Sequence, residues 1–276
     1  MTELRAHAKL TISLRMTGLR DDGFHLIDAE MVSLALHDVV TVSAPPPDGD
    51  APDPRDDDGR GRDGGDGADR PVRISAVGPF ADGVPLDGTN LVARALQRVG
   101  RRADVIIDKR IPHGGGLGGG STDAAAVLRW GGHGTTPDDL ASASTLGADI
   151  PFCMIGGRAR VRGIGEIVDP LPVVERDITL IIPPLAVSTP AAYRAWDELG
   201  GPTGDGANDL EAAALVVEPR LRRWRDAITE ALGEPPTLAG SGATWFTEGR
   251  RDDALGDVVD EGARVVVTRA VASPFA

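Results

Sequence analysis

The sequence of 276 residues has a single cysteine and no long hydrophobic run. Because Cys153 has no second cysteine to pair with, an intrachain disulfide is excluded and a reducing compartment is expected. No apolar stretch approaches the roughly 20 residues that span a bilayer. The first segment carries Arg5, Lys9, Arg15 and Arg20 without an apolar core, so it does not predict a secretory signal. We therefore expect a soluble, cytoplasmic protein.

Positive charge is also scarce, since 29 basic residues face 42 acidic ones and the net charge is -13. A field of that sign repels phosphate backbones, which argues against nucleic acid as the main partner. A small anionic substrate stays possible, because a local pocket can oppose the overall charge. The histidines are scattered and lack the spacing of metal ligands (His7, His25, His37, His113 and His133). No metal site is predicted from them, and a small-molecule partner is favoured.

Lysine is the scarcest charged residue, with only Lys9 and Lys109 among the 29 basic positions. Arginine presents a rigid planar fork, whereas lysine is a compact point charge that fits closer quarters. Each of the two lysines is therefore a candidate for a role that an arginine could not fill.

One segment departs from the composition of a folded domain. Residues 45–71 contain nine Asp and four Arg among many Gly and Pro, so they cannot bury enough apolar surface to offset their chain entropy. We predict a disordered acidic insert there, and favour a tolerated surface insertion over an acidic functional segment. The pattern of predicted strands and helices restarts near 165–172. This predicts an N-terminal domain over 1–168 and a C-terminal domain over 169–276.

Residues 8–15 alternate strictly between apolar and polar side chains, which predicts a half-buried strand. Lys9 and Thr11 then lie on the same side of it, about 7 Å apart. A turn-rich hairpin is expected at 17–23, followed by strand-like residues 31–42 with a break at His37 and Asp38. Elsewhere the pattern predicts strands at 72–76, 103–108, 178–182, 243–246 and 263–268, and helices at 90–100, 190–199, 208–217 and 219–232, with short helices after 138 and 246.

Six glycines surround Leu117 between the strand at 103–108 and an alanine-rich helix expected to start at Ser121–Asp123. Successive amides in such a loop can turn inward and bind an anion, and the helix N-terminus adds partial positive charge. A flexible linker is the alternative, but a linker has no reason to join an apolar strand to a helix. Phosphate binding is favoured. The Walker A pattern is absent, and the five residues 109–113 that separate the strand from the glycines argue against a dinucleotide-binding turn.

The segment PHGGGLGGGSTDAAA at 112–126 resembles the phosphate-binding motif of the GHMP small-molecule kinases. Four more segments resemble the 4-diphosphocytidyl-2-C-methyl-D-erythritol kinase branch of that family: AKLTISLRMTGLRDDGFHLID at 8–28, LGADIPFCMIGGRARVRGIGE at 146–166, NDL at 208–210 and LAGSGATWF at 238–246. The resemblance implies an α+β, two-domain fold, with a ribosomal protein S5 domain 2-like N-terminal domain and a ferredoxin-like C-terminal domain.

The resemblance further implies transfer of the ATP γ-phosphoryl group, with Mg²⁺, to the 2-hydroxyl of 4-diphosphocytidyl-2-C-methyl-D-erythritol. It assigns Lys9 and Asp149 to catalysis. It assigns the adenine site to Asn90, Leu91 and Lys109. It assigns the triphosphate site to Pro112, His113, Gly114, Gly115, Gly116, Leu117, Gly118, Gly119, Gly120, Ser121 and Thr122, with Ser121 and Thr122 near the phosphates and the metal ion. Without the resemblance, a solvated strand residue and a turn former would be the preferred interpretations of Lys9 and Asp149.

For the second substrate, the resemblance implies Thr11, Phe24, His25, Asp149 and Thr189, with Tyr193 nearby. His25 falls where the family recognises cytosine, and Phe24 where an aromatic ring stacks on that base. Thr11 departs from the usual asparagine and is shorter, although it keeps one donor and acceptor. Ala239 and Ala243 replace the usual serines and remove their hydroxyls, although the backbone turn can persist. Two alternatives stay open: another GHMP kinase that acts on homoserine, mevalonate or a sugar, and a nucleotide-binding homologue with impaired catalysis.

Overall fold

A single long strand pairs with most of its neighbours and organises the fold. The structure is a computed structural model that describes residues 1–44 and 72–272. The acidic segment 45–71 lies outside the described residues. The elements, in chain order, are β1 (Thr2–Leu19), β2 (His25–Ser43), β3 (Ile74–Val77), α1 (Leu91–Arg98), β4 (Asp104–Asp108), α2 (Gly119–Trp130), α3 (Pro137–Ser144), α4 (Ile150–Ile155), β5 (Arg158–Gly163), β6 (Ile167–Leu171), β7 (Asp177–Ile182), α5 (Thr189–Glu198), α6 (Glu211–Val217), α7 (Leu221–Leu232), β8 (Thr237–Leu238), β9 (Trp245–Glu248), α8 (Gly256–Asp260) and β10 (Arg264–Val271).

Strand β2 pairs with β1 along one edge and with three different strands along the other. Its residues 27–32 pair with β5, residues 33–34 with β10, and residues 39–43 with β4. Strand β10 also pairs with β7, so the N-terminal and C-terminal sheets continue into each other. This mixed architecture of sheet and helices confirms the α+β fold class.

Apolar side chains form three buried clusters. The first lies between the N-terminal sheet and helices α1, α2 and α4, and the second surrounds Trp224 and Trp245 in the C-terminal half. The third joins the halves, because it combines Leu10 and Leu34 with Leu180 and with Leu117 of the glycine segment. The segment that carries the glycines is therefore anchored by an apolar residue in the junction between the two sheets.

The chain passes from the first sheet to the second over residues 172–176, because β6 pairs with β5 as far as Leu171. Strand β6 thus continues beyond the predicted limit at residue 168. The division into two domains at that point remains a prediction.

Local structure differs from the sequence prediction in several places. The predicted break at His37 and Asp38 is wrong, since β2 is continuous there and the irregularity is a register shift against β1 between His7 and Lys9. Helix α2 begins at Gly119 rather than at Ser121. Helix α4 and strands β5 and β6 were not predicted, because elements of five or six residues show too little periodicity. None of the described helices is long and apolar enough to cross a membrane.

Candidate active site

A cleft of about 440 Å³ opens between β1, the residues that precede α2, the start of α4, helix α5 and the turn after β8. We call residues 112–118 the glycine loop and residues 239–242 the second glycine turn. The cleft contains most of the residues that the sequence singled out. Those that line it are Lys9, Thr11, His25, Leu91, Lys109, Pro112, His113, Gly114, Gly115, Gly116, Leu117, Gly118, Gly119, Gly120, Ser121, Asp149, Thr189 and Tyr193.

Lys9 and Asp149 meet at the floor of the cleft. The Lys9 Nζ atom lies 3.3 Å from Asp149 Oδ2 and donates a hydrogen bond of 3.2 Å to Thr11 Oγ1. The side chain of Lys9 is 7% exposed and that of Asp149 is 32% exposed. The ammonium is therefore withdrawn from solvent, while the carboxylate keeps a free side toward the cleft. The alternation in β1 that predicts Lys9 and Thr11 on one side is confirmed.

Asp149 owes its orientation to the start of α4. It occupies the residue before Ile150, yet its side chain makes no capping hydrogen bond to the helix. Pro151 at the start of α4 has no amide proton to donate to a capping carboxylate. The carboxylate is thus available for the Lys9 ammonium and for a ligand.

The glycine loop packs so closely on β1 and the second glycine turn that side chains are excluded at two positions. Gly118 has φ of 68°, and a Cβ atom there would lie 2.7 Å from Lys9 Cγ. Gly116 has φ of 76°, and a Cβ atom there would lie 2.2 Å from the Ala239 carbonyl oxygen. The backbone amide of Lys9 also donates to the Leu117 carbonyl oxygen at 3.1 Å. The loop and Lys9 are therefore parts of one packed unit.

The loop delivers the chain to the N-terminus of α2, where backbone amides are available to an anion. Its N-cap, Gly118, has no side chain that could accept from the first turn. The first amides of a helix have no acceptor inside the helix, and the helix dipole adds positive potential there. Together with the glycine amides that precede it, this terminus is a suitable site for phosphate groups.

Beneath this terminus, Lys109 forms a buried charged triad with Asp38 and Asp123. Its Nζ donates to Asp38 Oδ2, and also to Asp123 Oδ2 at 2.8 Å. All three side chains are almost fully buried. Burial by itself lowers the pKa of Lys109, but the two carboxylates outweigh it and the net shift is upward. Burial also raises the pKa of Asp123, against the opposing charge of Lys109. The sequence placed Lys109 in the nucleotide site, but it did not single out the two aspartates.

Aromatic side chains enclose the opposite end of the cleft. The ring of His25 lies 5.0 Å from that of Tyr193 and 5.7 Å, edge-on, from that of Trp196. His25 Nε2 is 2.7 Å from Asp197 Oδ1. Burial and then the charge of Asp149 raise the pKa of Tyr193 to about 12, so its hydroxyl stays protonated. This end offers flat rings and polar edges, which suit a heterocyclic base.

Three of the residues singled out from the sequence do not line the cleft. Asn90 caps α1 by accepting from the Val92 amide, Thr122 is buried and donates to the His7 carbonyl oxygen, and Phe24 is 56% exposed under the Arg20 guanidinium. For Phe24, the reason is its position at the tip of the β1–β2 turn. Contact between any of these side chains and a ligand stays a prediction.

The second glycine turn brings further polar groups to the cleft that the residue patterns did not assign to substrate. Ser241 Oγ is 2.8 Å from Thr189 Oγ1. Asn208 fixes the turn from behind, because its side-chain amide donates to the carbonyl oxygens of Leu238 and Gly240. The NDL segment at 208–210 is the sequence signal that could have revealed this support.

Cys153 is a buried residue of α4. Burial, and then the charge of Asp149, raise the pKa of its thiol above the ordinary value. The thiol is therefore protonated at neutral pH and unsuited to nucleophilic attack.

Comparison with known proteins agrees with this geometry. The family profile "GHMP kinases N terminal domain" matches residues 90–157. A 4-diphosphocytidyl-2-C-methyl-D-erythritol kinase of Paracoccus denitrificans is 34% identical over 260 residues, which cover 87% of this chain and 84% of that protein. The corresponding kinase of Ruegeria pomeroyi is 34% identical over 270 residues, with 88% and 87% covered. A crystal structure of 4-(cytidine 5'-diphospho)-2C-methyl-D-erythritol kinase superposes with a TM-score of 0.67 at 27% identity, covering 98% of this chain and all of that one.

Proposed function

Because this chain belongs to the 4-diphosphocytidyl-2-C-methyl-D-erythritol kinases, a branch of the GHMP kinases in the non-mevalonate (MEP) isoprenoid pathway, we propose that the cleft described above performs that phosphoryl transfer. The acceptor is the 2-hydroxyl of 4-diphosphocytidyl-2-C-methyl-D-erythritol, and the donor is ATP. The pairing of Lys9 with Asp149 beside the glycine loop is the observation that carries the assignment of residues.

Asp149 acts as the base. Its partly exposed carboxylate accepts the proton of the acceptor hydroxyl while the alcohol oxygen forms its bond to the γ-phosphorus and the bond to the β–γ bridging oxygen breaks. Kinases gain most of their rate from positioning and charge stabilisation, so the carboxylate also orients the attacking oxygen.

Lys9 supplies positive charge at the same place. Its ammonium lies 3.3 Å from the carboxylate and helps to hold it in place before the reaction. It also opposes the negative charge on the transferred group. The stem of Lys9 passes beneath Gly118, where the packing leaves no space for a Cβ atom.

The glycine loop and the α2 terminus bind the triphosphate through backbone amides, with Leu91 toward the adenine. A magnesium ion neutralises phosphate charge in such transfers. The described residues contain no cluster of three acidic, histidine or cysteine side chains that could hold a metal. The ion would therefore depend on phosphate oxygens, water and the Ser121 hydroxyl, a donor set that Mg²⁺ accepts.

The aromatic end of the cleft receives the cytosine. His25 and the ring of Tyr193 support this assignment by their contact at 5.0 Å. Thr11 is the unusual residue of the acceptor site, and its hydroxyl is already bonded to Lys9. Thr11 therefore helps to orient the lysine as well as to contact substrate. ATP and a cytidine diphosphate-linked substrate both support the cytoplasm as the working compartment.

A coupled assay of ADP release across several acceptors tests this function. We expect turnover with 4-diphosphocytidyl-2-C-methyl-D-erythritol and only background rates with free 2-C-methyl-D-erythritol 4-phosphate, homoserine or mevalonate. Among these acceptors, only the cytidine-linked compound can reach both the Lys9–Asp149 pair and the aromatic end of the cleft.

Turnover of homoserine, mevalonate or a sugar in place of the cytidine compound would assign the chain to another GHMP activity. ATP binding without turnover of any acceptor would identify a catalytically impaired homologue. Wild-type protein with confirmed nucleotide binding is the reference for both outcomes.

A further inference from the structure

The buried charged triad joins the two ends of the glycine loop. We propose that Asp38, Lys109 and Asp123 are positioning residues that set the spacing of those ends and thereby the affinity for the triphosphate. This inference rests on the proposed function to the extent that the loop binds a nucleotide. It concerns the binding of the donor, and it is independent of which alcohol accepts the phosphoryl group.

Asp38 holds the entrance of the loop. One of its oxygens accepts the backbone amides of Arg110 and Ile111 at 2.5 Å and 2.7 Å, and the other accepts from Lys109. These are the residues that lead from β4 into the loop. A carboxylate on the central strand β2 therefore fixes the direction in which the loop leaves the sheet.

Lys109 and Asp123 hold the exit. Asp123 is the fifth residue of α2, and its Oδ2 accepts from the Lys109 ammonium at 2.8 Å. A Cβ atom on Gly119, the first residue of α2, would lie 3.1 Å from that ammonium. The positive charge thus lies directly under the helix terminus, and a rotation of α2 would break its contact with Asp123.

Because its three side chains are buried, the triad is stable only when their relative positions are accurate. Removing charged groups from water costs several kcal/mol per ion, and the cost is recovered only when the partners are correctly placed. One ammonium between two carboxylates satisfies this requirement only while β2, β4 and α2 keep their present separation. One acceptor, Asp123 Oδ1, still lacks a partner among the described residues. An apolar cluster could stabilise the same elements, but it would define their positions less narrowly.

The triad also places two carboxylates near a proposed phosphate site, where their negative charge must be offset. A site for phosphate gains nothing from two carboxylates beneath it unless a cation lies between them and the ligand. The Lys109 ammonium occupies that place, next to the first turn of α2. Its charge therefore offsets the carboxylates on the side that faces the helix terminus, while both aspartates hold it there.

Direct contact between Lys109 and adenine, which the family resemblance suggests, is the competing role. The two roles differ in which part of the nucleotide loses affinity when the ammonium is removed. We therefore compare three ligands: ATP, adenosine and inorganic tripolyphosphate.

The test measures binding of these ligands to wild type, Lys109→Met and Asp123→Asn by calorimetry and by competition, without any acceptor present. We expect Lys109→Met to weaken ATP and tripolyphosphate by about tenfold or more, because misplaced amides lose their alignment, and to leave adenosine within about twofold. Asp123→Asn retains one acceptor and is expected to give a smaller loss with the same pattern. In turnover assays KM for ATP rises, while kcat changes less than about threefold.

Ile228→Ala in the second core cluster is the control, because it removes buried contacts of α7, a helix that does not line the cleft. It should lower the melting temperature without a change in affinity for tripolyphosphate. Unchanged tripolyphosphate affinity in a folded Lys109→Met protein would overturn the proposal, as would an equal loss for adenosine and ATP. If Lys109→Met does not fold, the affinities of Asp123→Asn for tripolyphosphate, ATP and adenosine test the proposal in the same way. If wild type binds ATP but phosphorylates no acceptor, the proposed function fails while this inference can still be tested.

Discussion

Replacement of Asp149 by asparagine is expected to lower kcat by about 10²- to 10⁴-fold. Asparagine keeps the size of the side chain and can still accept a hydrogen bond from Lys9, but it cannot take up a proton. KM for ATP should stay within about threefold of wild type, because the proposed nucleotide site is the glycine loop and not α4. Steady-state rates of ADP release at saturating acceptor measure both parameters.

Asp28→Asn is the control for this substitution. Asp28 lies on β2 and pairs with Arg160 outside the cleft. Exposed pairs of this kind contribute about 0–1 kcal/mol to stability. The control should keep the wild-type kcat. Wild-type turnover in Asp149→Asn would remove the proposed base, and an equal loss in both variants would show that general destabilisation is the cause.

Gly116→Ala is expected to reduce ATP affinity by about a hundredfold, since displacement of a positioning loop by an ångström has effects of that order. The φ angle of 76° costs an alanine about 1–2 kcal/mol. In addition, the new methyl group would lie 2.2 Å from the Ala239 carbonyl oxygen, a backbone atom that cannot rotate away. The glycine loop and the second glycine turn must therefore separate. Calorimetric titration with ATP measures the loss.

Gly132→Ala separates backbone strain from displacement of the loop. Gly132 also has a positive φ angle, 89°, but a Cβ atom there would have no neighbour within 4 Å. It lies just beyond α2, away from the cleft. We expect a loss of about 1 kcal/mol in the free energy of unfolding and unchanged ATP affinity. ATP affinity in Gly116→Ala equal to that of Gly132→Ala would contradict the packing argument.

Local patterns in the sequence predicted the parts of the site that depend on neighbouring residues. Alternation in β1 placed Lys9 beside Thr11, and the glycines before an alanine-rich helix indicated the anion site. The position of Asp149 opposite Lys9 depends on α4, which has only six residues and no measurable period. Only the family resemblance brought those two residues together before the structure did.

Long-range pairing explains the residues that the sequence did not reveal. Asp38 and His37 form a polar pair that resembles a strand break in the sequence. The Asp38 side chain is nevertheless buried, because the Lys109 ammonium and two backbone amides of the residues that follow β4 donate to it. Such partners lie 71 to 73 residues away in the chain, beyond the reach of any local pattern. The same applies to Ser241, which reaches the cleft from the second sheet.

The two lysines are 5% and 3% exposed, and both lie in the cleft. Amine-directed reagents therefore meet no accessible side-chain amine on the outer surface, where all the other cations are guanidinium groups. An acylating reagent small enough to enter the cleft would consequently act as a selective active-site probe, and bound nucleotide would protect the enzyme from it.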